Sequence, residues 1–138
     1  MWHNRNMAVI KDSDILAGEH ALRTWKNEAT RQAGQSTAGI GIAPQLPRKD
    51  YAAVRYSLFL MEKLAPGPSV ELRIAPYAAV KILEGPKSDP HNLTPPDVIE
   101  LEPAVWLRMA CGFTTWQEEK DAGHISAVGV RDDLSRFL

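Results

Sequence analysis

The Pro66-Gly67-Pro68 step separates two different patterns of apolar residues. Before it, apolar side chains recur at intervals of three or four residues: Tyr51, Val54, Leu58, Met61 and Ala65. Directly after it, Val70-Glu71-Leu72-Arg73-Ile74 alternates apolar and charged residues. The first spacing predicts an amphipathic helix that begins after Asp50, and the alternation predicts a strand with one apolar face. The chain is therefore expected to change from a helix to a strand at this step.

Upstream of this junction, the pattern predicts one further helix, from Ser13 to about Ala33. One face of it carries Ile15, Gly18, Leu22, Trp25 and Ala29. Asp12 or Ser13 is suited to cap its start, and Gly34 its end. Residues 35–47 are rich in Gly, Pro and Ser and have no periodicity, which is typical of a loop. We therefore expect residues 1–47 to be a helical extension with a linker, and residues 48–138 to be the main domain.

Downstream of the junction, short strands and helices are grouped rather than alternating. Residues 77–84 predict a second strand, which forms either one bent strand or a tight pair with the first. The remaining predicted elements are a loop over 85–97, a strand over 98–101, a helix over 103–111, a helix opened by the capping-box pair Thr115 and Glu118, a strand over 124–129 and a terminal helix over 132–138. This order favours an α+β fold with one sheet covered by helices, and not a doubly wound parallel sheet.

Composition excludes several classes of protein. The 138 residues are 44% hydrophobic, enough for a core, and carry a formal net charge of −1. With a pI near 6.4, the chain is unsuited to bind the phosphate backbone of nucleic acid. One Cys cannot form an intrachain disulfide, so we expect a cytoplasmic protein. No apolar run approaches the roughly 18 to 20 residues of a membrane span, and we expect neither a span nor a signal peptide.

The polar residues predict no reactive constellation. Cys111 with His124 would be a thiol and base, but Cys111 ends an apolar helix and is better interpreted as a small buried side chain. His91 lies between two aspartates, yet a zinc site needs three or four ligands at short spacing. Asp132 and Asp133 are explained by a helix start and by pairing with Arg131. We therefore predict no catalytic residue, no metal and no cofactor.

Residues 66–138 carry a series of matches to a known family. They are Pro66-Gly67, Val70 to Ile74, Pro76 to Val80, Glu84-Gly85-Pro86, Thr94-Pro95-Pro96, Val98, Glu100, Trp106-Leu107, Ala110 to Gly112, Trp116, Gly123, Gly129, Arg131 and Asp133-Leu134-Ser135. This half of the chain resembles the bacterial members of the sterol carrier protein 2 (SCP2) superfamily, and in particular the small stand-alone proteins of actinobacteria. Residues 87–93 depart from the pattern, because this loop is longer and less basic here.

The resemblance implies a mixed five-stranded sheet covered by helices around an apolar tunnel. In the wider superfamily such a tunnel holds sterols, fatty acyl chains or acyl-CoA, so the implied function is non-catalytic lipid binding and transport. The expected ligand-binding residues are Leu72, Ile74, Val80, Ile82, Val98, Trp106, Leu107, Met109, Ala110, Trp116 and Ile125. An accessory or protein-interaction domain with a core filled by its own side chains is the alternative, and a small hydrolase or isomerase ranks last. Ligand identity and oligomeric state stay open.

Overall fold

The computed structural model of the chain describes residues 11–35, 50–75, 78–84, 97–128 and 133–138. Its helices are α1 (Ile15–Gln35), α2 (Tyr51–Leu64), α3 (Pro103–Ala110) and α4 (Trp116–Asp121), and its strands are β1 (Val70–Ile74), β2 (Ala78–Ile82), β3 (Asp97–Leu101) and β4 (Ile125–Val128). Short 3-10 turns lie at Asp12–Asp14 and Ser135–Phe137. These elements confirm the predicted α+β class.

Helix α1 packs on α2 through the face predicted from the sequence. Gly18 is buried in this contact, and a Cβ atom built on it would lie 2.6 Å from the Cβ of Tyr56. Such a separation is too short for two carbon atoms, so glycine permits the close approach of the two helices. Leu22 and Trp25 are half-buried against the core. Trp25 also meets the ring of Phe113 edge-on, with the ring centroids 6.1 Å apart.

The ends of α1 differ from the predicted ones. Asp12 and Ser13 form a 3-10 turn ahead of the helix, which begins at Ile15. At the other end the helix continues through Gly34 to Gln35, so Gly34 does not terminate it. A single glycine lowers helix propensity by only about 1 kcal/mol, which does not by itself stop a long helix.

The turn between α2 and β1 is held against the end of β2. The Leu83 N–H donates to the Ala65 carbonyl at 2.8 Å, and the Ser69 N–H donates to the Leu83 carbonyl at 3.0 Å. Gly67 has a φ of +145°, and a Cβ on it would lie 2.1 Å from the Leu83 backbone. Only glycine fits this position, which explains the Pro-Gly-Pro step that ends the helical pattern.

The sheet has the strand order β2-β1-β3-β4. Strands β1 and β2 are an antiparallel pair, with Leu72 opposite Val80, which settles the choice between a bent strand and a pair. Strands β1 and β3 are parallel, and β3 and β4 are antiparallel. In the described residues the sheet has four strands, so the five strands implied by the resemblance were wrong for this part of the chain, whereas the residue pattern itself predicted four.

One face of the sheet is apolar and the other is polar. Across the first face runs the row Val80, Leu72, Ile99 and Ala127, which are paired from strand to strand. On the second face, Arg73 lies 3.1 Å from Glu71 and 4.0 Å from Glu100. Side chains alternate along a strand, and the described helices pack on the apolar face.

The C-terminal segment departs from its predicted helix. The structure has a 3-10 turn at Ser135–Phe137, and Leu134 just before it is fully buried. Asp133 accepts a hydrogen bond from the Ser135 N–H at 2.8 Å and so satisfies the backbone there. This contact lowers the pKa of Asp133. Arg131 and Asp132, which we predicted to pair and to begin a helix, lie outside the described residues.

Candidate functional site

The apolar core between the inner face of the sheet and the helices is the candidate site. Eight of the residues predicted to line it belong to one buried cluster: Leu72, Ile74, Val80, Ile82, Trp106, Leu107, Met109 and Trp116. Ala110 and Ile125 are partly buried and pack against this cluster. The structure therefore brings ten of the predicted residues together. Their role in ligand binding stays a prediction.

Val98 does not share this environment. It is half-buried and lies outside the core cluster, whereas Ile99 and Leu101 of the same strand belong to it. The inward placement of Val98 was wrong because side chains alternate along a strand, and Val98 shares its face with the exposed Glu100. Val98 also pairs with Glu71 of β1, and Glu71 lies on the face of the sheet that carries the charged residues.

The sequence reasoning omitted the contribution of α2 to this interior. Val54 and Leu58 are fully buried there, and Met61 is 5% exposed. Their spacing of three and four residues predicts one helix face, and the length of the apolar stretch shows that this face needs a partner. Helix α2 is therefore one wall of the interior rather than an addition to it.

A hydrogen bond joins the walls made by α2 and α3. The Trp106 indole N–H donates to Ser57 Oγ at 2.8 Å, and the Ser57 hydroxyl is placed to donate to the Ala53 carbonyl at 2.8 Å. Both residues are buried. The indole ring is thereby fixed in orientation at the centre of the core, because a buried N–H is costly without an acceptor.

A buried ion pair holds α3 to α4. Arg108 donates to Glu119 through Nε at 2.8 Å and through Nη2 at 2.7 Å. Thr114 Oγ donates to the same carboxylate at 2.7 Å, and His124 Nδ1 lies 2.7 Å from it. Arg108 and Glu119 are both nearly inaccessible to solvent. This bidentate arrangement fixes the relative position of the two helices and the start of β4.

The electrostatics of the ion pair favour the charged carboxylate. Burial by itself raises the pKa of Glu119, but the hydrogen bonds from Arg108, His124 and Thr114 outweigh it and lower the pKa to about 2. Glu119 is therefore ionised at neutral pH and compensates the buried guanidinium. Through these partners the Glu119 carboxylate connects α3, α4 and the residue before β4.

Three buried side chains of the described residues have polar atoms without a hydrogen-bond partner. The atoms without a partner are the two carboxyl oxygens of Glu62, Nη1 of Arg108 and the indole nitrogen of Trp116. Burial raises the pKa of Glu62. Buried polar atoms without partners are uncommon in folded proteins, and Glu62 is the strongest case because both of its oxygens are involved.

The candidate reactive groups are not arranged for catalysis in the described residues. Cys111 is half-buried, and burial raises the pKa of its thiol against a smaller opposing effect of Lys26. A nucleophilic cysteine requires the opposite shift. His124 lies against Glu119 instead. Within the described ranges, no group of three or more His, Cys, Asp or Glu side chains is arranged to hold a metal ion, and His91 lies outside them.

The fold is an α+β domain with a sheet that is apolar on one face and with an apolar core between that face and the helices. A family model described as "Bacterial SCP ortholog" matches residues 47–138. The chain belongs to this family of SCP2-like sterol carrier proteins, which are in general non-catalytic lipid carriers. A search of curated protein sequences found no relative of the chain. Among the described helices, none has the length and apolar character needed to cross a membrane.

Proposed function

We propose that this protein is a non-catalytic carrier that binds an apolar molecule, such as a sterol, a fatty acid or an acyl-CoA, between its sheet and its helices. The observation that supports this proposal is the single apolar cluster shared by the inner face of the sheet, α2 and α3. Family membership supports it independently.

Burial alone provides enough free energy for such binding. Each methylene group moved from water into an apolar interior contributes about 0.8 kcal/mol, so a long acyl chain or a sterol needs few polar contacts. The inner wall supplies mainly aliphatic and indole surfaces, including Leu72, Ile82, Leu107 and Trp106. No reactive group is needed for this function, and the proposed mechanism is reversible transfer of the ligand from water into the interior.

Tryptophan fluorescence tests this proposal. Trp106 and Trp116 are buried at the interior, so binding is expected to change their emission in a saturable way when a fatty acid, an acyl-CoA or a sterol is added to delipidated protein. The measurement uses a Trp2→Phe, Trp25→Phe background, which leaves these two indoles as the reporters. The absence of a saturable change with all three ligand classes, in folded protein, contradicts the proposal.

Two variants show where the ligand binds. Ala110→Phe adds volume beside the core cluster and is expected to abolish the saturable response, at a cost in stability of about 1 to 3 kcal/mol. Ala79→Phe makes the same change at an exposed position of β2 and is expected to leave the response intact. A saturable response that is as strong in Ala110→Phe as in Ala79→Phe would place the ligand outside the interior.

The complete burial of several wall residues favours one second candidate. Leu72, Ile74 and Ile99 have no exposed surface, which also fits an accessory or protein-interaction domain whose core is filled by its own side chains. Cooperative unfolding together with no binding of any of the three ligand classes is the result that this candidate predicts.

A further inference from the structure

Glu62 is a buried acid without a partner on the wall formed by α2. Glu62 is only 5% exposed to solvent, and neither of its carboxyl oxygens has a hydrogen-bond partner. Leu58, one turn before it, is 0% exposed, and Ala65, three residues after it, is 5% exposed and part of the core cluster. Residues at these spacings share a helix face, so Glu62 lies beside the apolar interior.

The structure also locates Glu62 relative to the sheet. The carboxyl end of α2 is tied to the end of β2 by the hydrogen bond between the Leu83 N–H and the Ala65 carbonyl. Strand β2 is at one edge of the described sheet, and β4 is at the other. The ion pair of Arg108 and Glu119 belongs to the β4 edge, because the His124 N–H, directly before β4, donates to the Glu119 carbonyl. The backbone one turn after Glu62 is therefore tied to the β2 edge of the described sheet, and the backbone of Glu119 to the β4 edge.

Burial without a partner disfavours the ionised form of a carboxylate. Burial raises the pKa of Glu62 and so favours the neutral carboxylic acid. A neutral carboxylic acid can donate one hydrogen bond through its O–H and accept another at its carbonyl oxygen. The neutral carboxylic acid is therefore complementary to a ligand group that can both donate one hydrogen bond and accept another.

We propose that the Glu62 carboxyl group binds the hydroxyl group of an uncharged apolar ligand that enters the interior with its hydroxyl end toward the β2 edge. This inference rests on the proposed function and makes it more specific. A hydroxyl group has the same pair of donor and acceptor functions, so both oxygens of Glu62 gain a partner. A ligand with an anionic head needs a cation, and among the described residues the one buried cation is Arg108, whose charge is already compensated by Glu119.

The test compares two probes that have the same number of heavy atoms, 1-decanol and undecane. Their affinities are measured by displacement of the neutral dye N-phenyl-1-naphthylamine from the full-length protein. The quantity of interest is the ratio of the two affinities, because solubility differences between the probes cancel when the ratio is compared between variants. We expect Glu62→Leu to lower the preference for 1-decanol by about fivefold to tenfold, the effect of one or two hydrogen bonds.

Matched variants separate the role of Glu62 from a general effect. Glu62→Gln keeps a donor and an acceptor and is expected to retain the preference for 1-decanol. Glu84→Leu makes the same chemical change at an exposed residue near the same edge and is expected to leave the ratio unchanged. Glu62→Leu removes an unpaired buried acid, so its thermal midpoint is expected to be no lower than that of the wild type. Glu62→Met repeats the measurement of the affinity ratio with a second apolar side chain of similar size.

The outcomes distinguish this proposal from the proposed function. An unchanged ratio in both Glu62→Leu and Glu62→Met, with the dye bound normally, overturns the assignment of Glu62 and leaves the carrier function standing. A wild-type protein that binds neither the dye nor either probe overturns both. A preference for 1-decanol that is lost in Glu62→Leu and Glu62→Met but kept in Glu62→Gln and Glu84→Leu supports the proposal.

Discussion

We predict that loss of the Glu119 charge from the buried ion pair between α3 and α4 lowers stability in a pH-dependent way. The perturbation that tests it is Glu119→Gln, which removes the charge and keeps the shape of the side chain. In the folded protein the pKa of Glu119 is lowered from 4.5 to about 2. By linkage, a difference of this size corresponds to about 3 kcal/mol of stability at neutral pH. Removal of one partner of a buried ion pair typically lowers the free energy of unfolding by a similar amount, because the charge of the other partner, here Arg108, is left buried without compensation.

The sign of the pH dependence follows from the direction of the pKa change. Because the pKa of Glu119 is lower in the folded state, its contribution is fully present above pH 4.5 and is lost as the pH falls from 4.5 toward about 2. Urea unfolding at pH 7 and at pH 3 measures this directly. We expect the free energies of unfolding of wild type and Glu119→Gln to differ by about 3 kcal/mol at pH 7 and by less than half of that at pH 3.

A surface carboxylate is the matched control for this experiment. Glu100 lies 4.0 Å from Arg73, and its side chain is 48% exposed. Exposed ion pairs contribute little, so Glu100→Gln is expected to change the free energy of unfolding by no more than about 0.5 kcal/mol. The reasoning is refuted if Glu119→Gln costs no more than Glu100→Gln at pH 7, or if its effect is the same at both pH values.

Four further perturbations test the remaining contacts. Ser57→Ala leaves the Trp106 indole N–H without its acceptor and should cost about 1 to 3 kcal/mol in urea unfolding; no change would show that this hydrogen bond is unimportant. Gly18→Val should also cost about 1 to 3 kcal/mol by forcing α1 away from α2, whereas Ala17→Val at the neighbouring exposed position should not. Deletion of residues 1–43 should leave a cooperative domain with a lower thermal midpoint, and a flat near-UV circular dichroism spectrum would reject this. EDTA should leave the midpoint unchanged, while a drop restored by zinc would reveal a metal site.

The regular parts of the fold could be predicted because local patterns determine them. The spacing of Val54 and Leu58 identified α2, and the alternation around Leu72 identified β1. The capping box of Thr115 and Glu118 is present, with the Thr115 Oγ accepting from the Glu118 N–H at 3.1 Å. Each of these signals involves residues within a few positions of one another, so the sequence alone contains the relevant geometry.

The polar network could not be predicted in the same way, because it depends on contacts between distant residues. Arg108 and Glu119 are in different helices, and neither belongs to a recognisable motif. A signal was nevertheless present: Arg108 stands within α3, in which all residues from Ala104 to Met109 are buried. A charged residue in such a helix requires a partner. The same reasoning identifies Glu62, which follows the apolar stretch of α2.

The inward row of β3 was mispredicted for a local reason. Three of the four residues from Val98 to Leu101 are apolar. Only the charged residue Glu100 shows which of them point to the polar face of the sheet. Applying strict alternation from Glu100 assigns Val98 to that face and Ile99 to the interior. The tertiary pairing of Leu72 with Ile99 then agrees with this assignment.

Native mass spectrometry of delipidated protein tests the central proposal, binding of an apolar ligand in the interior, most directly. Incubation with a fatty acid, an acyl-CoA or a sterol is predicted to add the mass of one ligand molecule to the wild type. The same adduct is predicted for Ala79→Phe and not for Ala110→Phe. Folded wild-type protein that takes up none of the three ligands, or an adduct that persists unchanged in Ala110→Phe, would contradict binding of an apolar ligand in the interior.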